Sequence, residues 1–118
     1  MSRIIDTVEK IKTGQVKAYD LVSEHLEKAE SVGKDINAII SINDQALEQA
    51  KKLDQKISDG EKVGRLAGIP FTAKDVLMTK GLKTTAGSRF LEDHVAQYNA
   101  HVIEKLIEED AILIAKTN

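Results

Sequence analysis

The chain has 118 residues, the length of one ordinary domain, with 42% hydrophobic and 31% charged residues and a formal net charge of −2; that balance suits a globular fold and provides no field to gather phosphate backbones. Its aromatic residues, Tyr19, Phe71, Phe90 and Tyr98, are too scattered to stack successive bases, so nucleic-acid binding is not expected. The absence of cysteine excludes disulfides and thiolate metal sites and is compatible with a reducing cytosol, and an acidic amphipathic start with no long apolar run is not the pattern of a signal peptide or a membrane span.

Ile4, Ile5, Val8 and Ile11 recur at helical spacing before Gly14, predicting a short first helix that packs through those four side chains. A second helix is predicted through Ala18, Leu21, Val22, Leu26 and Ala29 up to Gly33, with Asp20, Glu24, Glu27 and Lys28 outside. Lys17 is a poor N-cap for it. Ile36 to Asn43 reads as a largely buried, β-branched strand. Asn43 or Asp44 can cap a third helix that faces inward through Ala46, Leu47, Ala50, Leu53 and Ile57 and ends near Gly60, with Lys51, Lys52, Asp54 and Lys56 on its solvated side.

Ile69 to Ala73 forms a second strand with Pro70 near its start, where a missing N–H is tolerated. An irregular stretch follows, with Gly81, the block Thr84 to Ser88, and Ser88 as the cap of a turn before Phe90 and Leu91. Asn99 is the expected N-cap of a fourth helix with Val102, Ile103, Leu106 and Ile107 on its core face, and Ile112 to Ala115 is a third, fully apolar strand. The order strand, connection, helix, strand implies a parallel crossover. Lys74 and Lys116 should therefore emerge at the same sheet edge.

Lys74 ends the second strand, and open α/β sheets place ligands beyond the carboxyl ends of their strands. A desolvated lysine can act as a proton acceptor, and Ile69, Phe71 and Ala73 are the apolar residues expected to surround this one, with the Asp75 carboxylate not turned inward. His25, His94 and His101 have no metal-ligand spacing, and Gly64 to Gly68 lacks the lysine and hydroxyl of a phosphate loop.

The blocks Leu66 to Asp75, Thr79-Lys80-Gly81, Thr84 to Ser88 and Ala115-Lys116-Thr117-Asn118 together resemble the N-terminal part of the amidase-signature family, and their wording is most similar to the A subunits of glutamyl-tRNA(Gln) amidotransferases. The resemblance implies the N-terminal portion of an α/β/α fold, with helices packed on a short mixed sheet and a parallel strand-helix-strand unit, all within a single domain over 1–118. It implies Ser-cisSer-Lys chemistry with Lys74 as the catalytic lysine. The family's glycine- and serine-rich nucleophile loop lies beyond the Lys-Thr-Asn block, and Ser41 and Ser88 lack its flanking glycines, so this chain is expected to be a fragment that is inactive alone. The resemblance further implies glutamine as substrate, B and C subunits as partners, a cytoplasmic location, and no cofactor in this chain, ATP and magnesium being used by the B subunit. Another amidase acting on small amides, and a short non-enzymatic product that self-associates or binds a partner through exposed sheet surface, are the alternatives.

Overall fold

The computed structural model describes residues 3–118. Helix α1 (Arg3–Lys12) is followed by α2 (Ala18–Lys28), which runs on through a wide helical turn at Ala29–Gly33. Strand β1 (Ile39–Ile42), helix α3 (Ala46–Ser58), strand β2 (Pro70–Lys74), a short turn of helix at Arg89–Leu91, helix α4 (His101–Glu108) and strand β3 (Ile112–Thr117) complete the order. The sheet order is β1-β3-β2, with β3 parallel to β2 and antiparallel to β1. This is the mixed sheet and parallel crossover expected from the sequence.

Helices α2 and α3 cover one face of the sheet, and Ile11 of α1 joins them; there Ile11, Val22, Leu53, Ile112, Ile114 and Ala115 form the larger core. Ala18, Ala46, Ala50 and Ala67, all fully buried, let those layers approach closely. The opposite face packs Ala73 and Leu113 against Ile103 of α4, with Leu77 and Leu82 from the long β2–α4 connection. Ile11, Val22 and Ile103 are each nearly fully buried, a burial worth on the order of 1.5–3 kcal/mol per side chain.

Local departures from the expected elements have identifiable causes. Asn37 adopts a positive φ of 57° and the N–H of Ala38 donates to the Gly33 carbonyl, so the chain leaves the helix by a tight turn. Strand β1 accordingly begins at Ile39, leaving Ile36 exposed, and β1 is half-covered rather than largely buried. Ile4 and Ile5 are exposed, and the buried residues of α1 are Val8 and Ile11. Asn99 does not cap α4; its side-chain oxygen accepts from the Lys80 N–H at 2.7 Å, and Val102 and Ile107 are exposed while Ile103 carries the helix. The weak start at Lys17 is made good from a distance. Asp54, on the α3 side assigned to solvent, accepts from the N–H groups of Ala18 and Tyr19 at 2.8 and 2.9 Å, placing a carboxylate on the α2 N-terminus. Ser88 caps as expected, accepting from the Phe90 N–H.

Strand β2 is anchored through the segment before it. Leu66 and Gly68 donate to the carbonyls of Glu109 and Asp110, and Gly64 to the Asp110 carboxylate. Gly68 sits at φ +77°, and a Cβ there would meet Ala18 and Ile11 at 2.9 Å. Gly60 has the same φ, +77°, but nothing within 4 Å. Both glycines avoid left-handed strain, whereas only Gly68 also avoids a clash. Gly60→Ala should cost about 1–2 kcal/mol and Gly68→Ala about 2–4 kcal/mol in urea unfolding followed by circular dichroism; equal losses would show that the crowding at Gly68 has no energetic weight.

Candidate functional site

Lys74 is the last residue of β2 and pairs in register with Thr117, while Ala73 pairs with Lys116. The two lysines therefore stand at one edge of the sheet, as the element order implied, but their surroundings are opposite. Lys74 is exposed. It borders a recess of about 50 Å³ lined also by Ile40, Asp75, Val76, Ala86, Gly87, Thr117 and Asn118. The expectation that Ile69, Phe71 and Ala73 shield it is not met. Strand alternation explains why: residues 71, 73 and 75 share one face, and Lys74 belongs to the other.

The same parity corrects the position of Asp75, which turns inward and is 2% exposed. Its N–H donates to the Thr117 carbonyl at 2.9 Å and its carbonyl accepts from the Ala86 N–H at 2.9 Å. One carboxylate oxygen accepts from both the N–H and the hydroxyl of Thr85. The other faces the Lys116 ammonium at 3.8 Å.

Lys116 is fully buried. A bulge puts it there: β2 pairs Phe71 with Leu113 but Thr72 with Ala115, so Ile114 is the extra residue. Ile114 and Ala115 consequently both join the core under the helices. Lys116 is thereby turned to the other face, beside Ala73 and under the β2–α4 connection. Its Nζ donates to the Leu77 carbonyl at 2.6 Å and to the hydroxyls of Thr79 and Thr84 at 3.0 and 3.1 Å. An ammonium has three donors, and each finds an acceptor. Ser41, the cross-strand neighbour of Lys116, has a buried hydroxyl oxygen with no hydrogen-bond partner.

A larger groove of about 490 Å³ lies against the start of β3, lined in part by Asn43, Gln49, Lys80, Asn99 and Asp110. It sits by the amino end of β3, the end away from Lys74, whereas parallel strands present ligands at their carboxyl ends. The Lys74 edge is therefore the candidate site despite its smaller recess. Among the described residues no cluster of three or more histidine, aspartate or glutamate side chains is placed to hold a metal ion, and no helix is long and apolar enough to cross a membrane.

Burial pushes the Lys116 pKa below its ordinary value of 10.5, and the Asp75 charge offsets part of that shift. A folded-state pKa below the unfolded one means that, between the two, the unfolded chain binds a proton that the folded chain does not. Stability contributed by this group therefore rises with pH across that window, and the cost of burying the ammonium is fully present below it. Urea unfolding of the chain and of Lys116→Met, compared from neutral pH to about pH 10.5, should show the difference between them shift in favour of the parent chain as pH rises. A difference that stays flat would mean that folding leaves the Lys116 pKa at its ordinary value.

A family model described as Amidase matches residues 20–118. The chain is 44% identical over 117 residues to the second glutamyl-tRNA(Gln) amidotransferase A subunit of Clostridium acetobutylicum, covering 95% of this chain and 24% of that protein. It is 42% identical over 111 residues to the corresponding protein of Fusobacterium nucleatum, covering 93% of this chain and 23% of that one. Among solved structures it superposes on a bacterial aryl acylamidase of the amidase signature family with a TM-score of 0.86 at 32% identity, over 94% of this chain and 24% of the other. The native peptide amidase of Stenotrophomonas maltophilia matches with a TM-score of 0.90 at 26% identity, over 98% and 24%. The chain thus spans about a quarter of the length of the relatives it matches. The matched segment includes Lys74, Asp75 and the whole of the Lys116 cluster, and the chain belongs to the amidase family.

Proposed function

We propose that this chain is the N-terminal part of an amidotransferase A subunit that hydrolyses glutamine to supply ammonia for converting Glu-tRNA(Gln) to Gln-tRNA(Gln), and that Lys74 is its catalytic base. The observation that carries this reading is the position of Lys74. It ends a parallel strand at the carboxyl edge of the sheet, beside a recess, within the Leu66 to Asp75 block. The identity to A subunits over 95% of the chain supports the choice of substrate.

On this reading the neutral amine of Lys74 takes the proton of a bridging serine, which activates a second serine outside these 118 residues. That hydroxyl oxygen attacks the amide carbon, an acyl ester forms as the C–N bond breaks, and the nitrogen leaves as ammonia with the relayed proton. B and C subunits are the partners, ATP and magnesium belong to the B subunit's step, and the assembly works in the cytoplasm. A second reading, an amidase acting on small amides, is favoured by the likeness to the aryl acylamidase and the peptide amidase.

Two measurements test the assignment. The 118-residue chain alone should release no ammonia from glutamine, and turnover by it would overturn the division of the catalytic groups between this segment and the rest. In a polypeptide of family length, Lys74→Ala should lower amide hydrolysis by at least about 10²–10⁴-fold with an unchanged circular dichroism spectrum. Retained activity would remove the base assignment. Faster turnover of a small aliphatic amide than of glutamine, with no co-purifying subunits, would select the second reading.

A further inference from the structure

Lys116 belongs to none of the chemistry above, yet it is the largest fully buried side chain among the described residues. Burying an ammonium is expensive unless it is paired and hydrogen-bonded, and a methionine would fill similar space without that cost. The three acceptors that hold it all come from one segment: Leu77, Thr79 and Thr84 lie in the connection that leaves the end of β2. The Asp75 carboxylate, 3.8 Å away, holds the same segment from its other end through Thr85. Lys116 and Asp75 thus fold residues 75–86 back on the edge where Lys74 stands. Asp75 is held besides at its own N–H and carbonyl, by Thr117 and Ala86, so the backbone immediately after Lys74 has little freedom.

We propose that Lys116 is a positioning residue: from the adjacent strand its buried side chain clamps the Asp75–Ala86 segment through Leu77, Thr79, Thr84 and Asp75, and so fixes the direction in which Lys74 leaves the sheet. The clamp stands on the geometry alone, while its catalytic consequence rests on the reading of Lys74 as base.

The chain has no cysteine, which makes a chemical rescue possible. Lys116→Cys introduces its one thiol, and aminoethylation of that thiol under denaturing conditions, followed by refolding, returns an ammonium at the reach of lysine. In amide hydrogen exchange, Lys116→Met and unmodified Lys116→Cys should lose at least about tenfold protection at Asp75, Thr85 and Ala86 while Val22 of α2 and Ala50 of α3 keep theirs. Aminoethylation should restore it. Unchanged protection in Lys116→Met, or loss that the returned ammonium does not repair, would overturn the clamp. Should these variants lose protection in α2 and α3 as well, Thr84→Val, which removes one of three acceptors, decides: protection at Thr85 and Ala86 should fall, and protection equal to the parent chain would reject the proposal. In a polypeptide of family length, Lys116→Met should lower kcat by about 10²-fold with KM within about threefold, the signature of a misplaced group rather than lost binding. An unaltered kcat would refute the positioning role. Activity surviving in Lys74→Ala would remove the base assignment instead, and the exchange result would still decide whether Lys116 holds the segment.

Discussion

The arrangement of the candidate site depends on one buried cation. Lys116 lies on the central strand near its carboxyl end, at a buried position where a hydrocarbon side chain would ordinarily sit. Because an isolated ammonium there would be strongly disfavoured, the segment that supplies its acceptors is not free to wander. Three donors meet three oxygens, and a carboxylate answers the charge. The consequence is positional: a connection of more than twenty residues, which its composition would leave as a mobile loop, is tied to the sheet close to where it departs. The edge carrying Lys74 is built on that tie.

The bulge on β3 links fold to site. An unbroken strand would put residues 112, 114 and 116 on one face, driving Lys116 into the apolar layer of Ile11, Val22 and Leu53 under the helices. One extra residue sends both Ile114 and Ala115 to that layer and Lys116 to the opposite face. A matching irregularity lies in β1 between Ile39 and Ser41. Ile39 and Ile42 both pack toward the helices and Ser41 stands beside Lys116. Re-aiming a side chain at a sheet rim is a recurrent use of bulges.

These features also mark how far the sequence could be read. The helices, the parallel crossover and the place of Lys74 at a strand end follow from periodicity, from Pro70 and from element order, and the structure carries them. The family was legible because its blocks are long and stand in fixed order. The inward turn of Asp75 was available too, since Ile69, Phe71, Ala73 and Asp75 share one parity; taking the first three as the surroundings of Lys74 mixed two faces of one strand. Lys116 was not legible. Nothing in Ile112-Leu113-Ile114-Ala115-Lys116 signals a bulge, because every residue before the lysine is apolar and suits either face. The Asp54 cap on α2 was hidden for a different reason: it joins residues 36 apart, and a local reading assigns such a carboxylate to solvent.

The contrast between the two lysines bears on how a base can be made at this edge. A lysine that is to accept a proton must lose water without gaining a full set of acceptors, since hydrogen bonds to the ammonium favour the charged form. Lys116 has lost its water but is fully buried and held by three oxygens and a carboxylate, so it presents no amine to a reacting group. Lys74 has the opposite profile: it is exposed, beside a recess rimmed by Ile40, Val76 and Gly87. The carboxylate next to it in sequence faces away, committed to Thr85 and Lys116. Covering this edge with apolar chain would therefore desolvate Lys74 without handing it a counter-charge. On the proposed reading that cover belongs to the remaining three-quarters of the family fold, and Thr85 and Lys116 keep the Asp75 carboxylate engaged when it arrives.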